Sequence, residues 1–108
     1  MMVDDFDRKT KVVIDGTVTV DGVATALSVL DVITLILKTN YDDTNAEAVL
    51  TKIATHLVAT GGVRFTLTTT DTDIDAGDFH YEIQWVHDTD DVYTLERSRV
   101  TVDKRIFD

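Results

Sequence analysis

G-D-F-H-Y-E-I-Q-W-V-H-D-T-D-D-V-Y-T-L-E-R-S-R-V-T-V-D, residues 77–103, decides the fold class. Phe79, Tyr81, Ile83 and Trp85 fall on one parity, and Asp78, His80, Glu82 and Gln84 on the other. Successive side chains of a strand point to opposite faces, so this pattern predicts a strand with one dry face and one wet face. Asp88-Thr89-Asp90-Asp91 predicts a turn, and residues 92–102 predict the return strand. A hairpin with four large side chains on one face needs a second sheet to cover them. The reading is a β-sandwich.

The rest of the chain extends that reading. Val63, Phe65 and Leu67 alternate with Arg64, Thr66 and Thr68, a half-buried strand entered through Gly61-Gly62. V-I-T-L-I-L-K, residues 32–38, is a near-continuous apolar run and predicts a strand in the sandwich core. Residues 11–20 are rich in Val, Ile and Thr, and Asp15-Gly16 within them predicts a hairpin turn or a bulge. Asp21-Gly22 is a second turn signal. Residues 40–45 and 69–76 read as polar loops, and Gly77 permits a positive φ at the entry to the hairpin. Residues 45–58 fit two templates. As a short helix, Thr44 or Asn45 caps it and Ala46, Val49, Leu50, Ile53 and Leu57 share a face; as a strand, Val49, Thr51, Ile53, Thr55 and Leu57 do.

Composition narrows the function classes. With 108 residues, 44% of them hydrophobic, one domain with its own core is the expectation, carrying short arms at 1–8 and 105–108. The absence of cysteine excludes disulfides and thiolate metal sites. No apolar run approaches the roughly 18 residues of a membrane helix, and the charged start does not read as a cleavable signal. The formal net charge is −10, and the acids are overwhelmingly Asp. Such a field repels duplex nucleic acid and anionic membranes, so neither is an expected partner. An Asp- and Thr-rich, Lys-poor surface also suits high salt, where screening removes self-repulsion; the same residues serve turns and exposed strand faces.

Taken in order, D-G-V-A-T-A-L-S (21–28), G-G-V-R-F-T-L-T-T-T-D-T (61–72), A-G-D-F-H-Y-E-I-Q (76–84) and D-V-Y-T-L-E-R-S-R-V-T-V (91–102) resemble the Ig-like domains of tailed-phage virion proteins. These include the N-terminal domain of upper baseplate proteins and small tail-associated proteins. The resemblance covers about residues 10–103. It departs from that pattern at Ser98, where the family carries Gly, and in the link Ala26-Leu27-Ser28-Val29. It implies an Ig-like antiparallel sandwich of about seven strands and an extended segment in part of 48–56. It also implies a non-enzymatic virion role in a tail, baseplate, neck or head surface, with other virion proteins and copies of the same chain as partners.

Candidate chemistry is sparse. Asp71, Asp73 and Asp75, with Gly77 and Glu82, approach the spacing of a calcium loop, but the glycine is one place late and the following segment reads as strand. They stay as weak metal candidates, and the alternative function is a stand-alone carbohydrate- or cation-binding module. His80 and His87 have opposite parity and make a poor metal pair; Ser28 and Ser98 sit in no nucleophile elbow; no glycine-rich phosphate loop occurs. No cofactor is expected. Trp85 and Tyr81 belong to the dry face. Tyr41, Tyr93, Arg97, Arg99, Ile106 and Phe107 are the candidate partner contacts. The 96–99 segment reads either as a basic patch for an acidic neighbour or as a cross-strand partner of Glu82 or Asp78.

Overall fold

A computed structural model describes residues 3–20, 22–28, 30–56, 61–87 and 92–104. Among them it places ten strands: β1 (Phe6–Asp7), β2 (Val12–Thr17), β3 (Thr19–Val20), β4 (Val23–Ala24), β5 (Val32–Lys38), β6 (Leu50–Ile53), β7 (Thr55–His56), β8 (Gly62–Leu67), β9 (Gly77–Val86) and β10 (Val92–Asp103). A single 3-10 turn, Asn45–Glu47, separates β5 from β6. One sheet has the order β1-β10-β9-β5-β6 and the other β2-β8-β7, with β3 and β4 forming a small ribbon. In immunoglobulin lettering, β10, β9 and β5 are G, F and C, and they face β2, β8 and β7 as B, E and D. All pairs are antiparallel except β1 with β10.

The hairpin behaves as its alternation predicts. Phe79, Tyr81, Ile83 and Trp85 are buried, and the intervening residues face outward. Facing them from the smaller sheet are Ile14, Val63, Phe65 and Leu67, and one cluster joins both inner faces with Ile33, Leu35, Leu37, Val100 and Val102. Full burial of each such side chain contributes about 1.5–3 kcal/mol. The unbroken apolar run of β5 reflects its central place between β9 and β6. Ile36 points to the outer face, opposite Glu82, and is nevertheless buried.

β10 contains an irregularity that local pattern did not predict. The register with β9 slips between Thr94 and Glu96, leaving Leu95 as the extra residue of a bulge. Before it, Tyr93 opposes Trp85; after it, Val100 opposes Phe79. The inward parity thus changes from odd to even, which lets Val100 and Val102 reach the core.

Asp15-Gly16 is neither a turn nor a bulge. β2 runs straight through it in continuous register with β8, where Asp15 lies opposite Arg64 and the two exposed side chains pair at 2.6 Å. Gly16 needs no positive φ there. The segment 45–58 resolves into the 3-10 turn followed by β6 and β7; residues 57 and 58 lie outside the described set. Only one helical turn forms, because β5 and β8 offer hydrogen-bonding edges that the following residues pair with. Glu47 closes the turn by accepting from the Thr44 N–H at 3.2 Å and its hydroxyl at 2.9 Å. Ten strands exceed the expected seven or so because β1, β3, β4 and β7 are two residues each.

Residues 3–8 are not a free arm. Val3 and Phe6 belong to the core cluster, β1 pairs with the end of β10, and Arg8 donates through Nε to the Ile74 carbonyl at 2.9 Å. Burying two apolar side chains offsets the entropy of ordering that segment. Fully buried Thr72 ties the next residues down: its hydroxyl donates to the Thr10 carbonyl at 2.6 Å and accepts from the Thr10 N–H at 3.0 Å. The expected turn at 88–91 and tail at 105–108, with Ile106 and Phe107, lie outside the described residues.

Candidate functional site

Three of the residues singled out from sequence come together on the outer face of the five-stranded sheet. Register puts Arg97 opposite Glu82 and Arg99 opposite His80, with Ile36 and Lys38 of β5 completing the same two rows. Tyr41, from the loop after β5, folds back over them. The Arg97 guanidinium lies 5.1 Å from the Tyr41 ring centre and donates to its hydroxyl at 2.5 Å. Tyr41 also meets His80 edge-on at 5.6 Å. Tyr41, His80, Arg97, Ser98 and Arg99 line a shallow depression of about 410 Å³.

The cluster is internally braced. Glu82 accepts from Arg97 at 3.4 Å, from Thr94 at 3.0 Å and from Gln84 at 3.2 Å. Burial pushes its carboxyl up, but these donors outweigh burial and hold it below the ordinary range. The Tyr41 oxygen, then Glu82, hold the Arg97 guanidinium charged. The cross-strand reading of the 96–99 segment therefore holds for Arg97 with Glu82. Arg99 makes no ion pair among the described residues and remains exposed. Such an array can offer a planar cation, a phenol and a second cation to an acidic or aromatic partner.

The other candidates do not join it. Tyr93 is half exposed at the far end of β10, with its ring 5.2 Å from that of Trp85. Asp71, Asp73 and Asp75 do not converge. Asp71 accepts from Lys52 at 2.9 Å and from the Thr68 N–H at 2.8 Å, and Asp73 pairs with Arg8 at 3.1 Å. Among the described residues no group of three potential ligands gathers around one point. No helix there is long and apolar enough to cross a membrane.

Sequence reading named Glu82 as a cross-strand partner of the 96–99 segment but missed His80 and Lys38 as members of the cluster. Their outward parity was legible, but register across three strands was needed to bring them together. It also missed a clasp at the opposite end. Buried Asp31 accepts from His87 Nδ1 at 2.6 Å and from the Ser28 N–H at 2.7 Å, while His56 Nε2 donates to the Ser28 carbonyl at 2.9 Å. Burial raises the Asp31 carboxyl, but the Ser28 N–H and His87 offset it, and the net shift is downward. A Ser-x-x-Asp spacing is the one local signal that could have suggested this turn.

Neither a scan of protein-family models nor a search of curated proteins finds a match to this chain.

Proposed function

We propose that the chain is a non-enzymatic structural component of a tailed-virus particle, in the tail, baseplate, neck or head surface, acting through contacts with other virion proteins and with copies of itself. The observation that carries this is the braced Tyr41–Arg97–Glu82 cluster, open to solvent beside Arg99 and the stretch of β10 that extends past its short pairing with β1. Tyr and Arg are the residues that most often dominate binding energy at interfaces. Holding them in place before contact lowers the ordering cost of association. On a chain of net charge −10, a site that presents two guanidinium groups favours an acidic partner surface. The ordered resemblance across 10–103 supplies the particle as the setting, and the all-β sandwich agrees with it.

Peptide mass spectrometry on purified particles of a tailed virus whose genome carries this sequence tests the reading. Stoichiometric amounts relative to the major structural proteins are expected. Arg97→Glu and Tyr41→Ala should each lower incorporation while leaving the isolated protein folded. Absence of the protein from intact particles would refute the proposal.

A further inference from the structure

The two sheets treat their edges differently. β1 and β7 offer two residues each, and β6 is four residues long with Lys52 in it. The open side of β10 carries the bulge at Leu95 and the cations Arg97 and Arg99. Short length, bulges and charge are the usual devices that stop one sheet edge from pairing with another. β2 is longer than β1, β6 and β7 and has no bulge: its six residues run in unbroken register against β8 on one side, and its one charged residue, Asp15, is balanced by Lys11, two places to the other side of Val13. An immunoglobulin-type sandwich carries strand A on the other side of this strand, and no described strand occupies that position. The N-terminal segment passes nearby without pairing. Asp4 and Asp5 stand across a groove of about 260 Å³ that runs along Val12–Asp15. Its backbone bonds go to Asp103 and Thr72.

We propose that β2 is a self-association edge, which pairs antiparallel with β2 of a second copy about a two-fold axis at Val13. The side chains on the exposed face of the strand specify this register. Lys11, Val13 and Asp15 follow one another at a spacing of two, all exposed. Antiparallel pairing centred on Val13 sets Val13 against Val13 of the second copy. It also sets Lys11 against Asp15 of the second copy, and Asp15 against its Lys11. Opposite charges directly across a ladder stabilise it and like charges oppose it; shifting the axis by two residues to Asp15 would place two aspartates face to face. Val13 is 48% exposed, so its burial at the axis adds an apolar contact. Lys11 makes no ion pair among the described residues, and Asp15, though paired with Arg64, is itself more than half exposed. The product is one continuous six-stranded sheet across two copies. It leaves the Tyr41–Arg97 cluster, on the other sheet, open. The inference needs only a second copy and does not depend on the virion reading.

The charge of −10 on each copy opposes association over long range. About 1 M salt shortens the screening length to ~3 Å, which removes that repulsion and weakens the exposed Lys11–Asp15 pairs while leaving the backbone ladder and the Val13 contact. Under this condition, sedimentation equilibrium of the unaltered chain should give a mass rising from 12.0 kDa toward twice that value as concentration increases. The chain has no cysteine, so single substitutions report position cleanly. Opposed residues in an antiparallel pair have Cα atoms about 4.5–5.5 Å apart, within the ~4.4–6.8 Å span of disulfides. Val13→Cys should cross-link to itself under mild oxidation. Lys11→Cys and Asp15→Cys should each fail alone and cross-link when mixed. A monomer at every concentration would overturn the proposal. So would a dimer in which Val13→Cys stays unlinked, or one in which Asp15→Cys links to itself.

Discussion

Thr72→Val is the sharpest test of how the N-terminal segment is held. The substitution keeps the shape and removes the hydroxyl of a side chain with no exposed surface. Two hydrogen bonds to Thr10 are lost, at 2.6 Å to its carbonyl and 3.0 Å from its N–H. The hydroxyl has one proton, so the longer approaches to the Thr68 and Thr69 carbonyls, at 3.3 and 3.4 Å, cannot be full bonds as well. Each lost bond costs about 1 kcal/mol net, more where the Thr10 groups find no replacement. The expected loss is about 2–3 kcal/mol, a fall in Tm of roughly 8–20 °C for a domain this size. Urea denaturation should show it at unchanged slope. Thr72→Ser keeps both bonds and loses a methyl group, so it should cost only about 1 kcal/mol. If Thr72→Val costs under about 0.5 kcal/mol, or less than Thr72→Ser, packing rather than hydrogen bonding holds this junction.

Three further outcomes are expected. Gly61 has φ +70°, and an added Cβ would lie 2.2 Å from the Thr25 carbonyl oxygen, so Gly61→Ala should cost more than about 3 kcal/mol, combining backbone strain with displacement of main chain; a Tm within a few degrees of the parent would mean that the 18–25 ribbon yields. Asp31 titrates below its ordinary 3.8 when folded, so its clasp contributes stability above that value and loses it as pH falls through the lower folded pKa. The gap in urea midpoint between the parent and Asp31→Asn should therefore be wide at neutral pH and narrow toward pH ~3, and a gap independent of pH would remove the carboxylate from the account. Arg97→Ala should change stability by less than about 1 kcal/mol, because exposed ion pairs contribute little; a larger loss by calorimetry would make the cluster structural.

Much of the fold was legible because a strand with one wet face carries its own address. Phe79 to Trp85 and Val63 to Leu67 alternate, and burial follows parity residue by residue. The apolar run 32–38 coincides with β5. Where two local solutions have similar energy, the sequence leaves the choice open. Residues 45–56 could wind or extend until β5 and β8 offered them edges. Asp15-Gly16 carries a turn signal that pairing of the whole of β2 with β8, Asp15 opposite Arg64, overrides.

The candidate site divides along the same line. Tyr41, Arg97 and Arg99 could be chosen by type and exposure, since aromatic and guanidinium groups in polar segments are available for contact. That they gather at one place, and that His80, Glu82 and Lys38 complete the site, depends on register between β10, β9 and β5. That register in turn depends on a bulge at Leu95, which no local preference demands; it forms so that Val100 and Val102 can turn inward. The sequence by itself determined the class of sheet, the identity of most core residues and the sign of the surface charge, because these follow from side-chain period and composition. Tertiary structure alone decided which edges stay open and which charges become neighbours, because both are set by pairings between residues far apart in the chain.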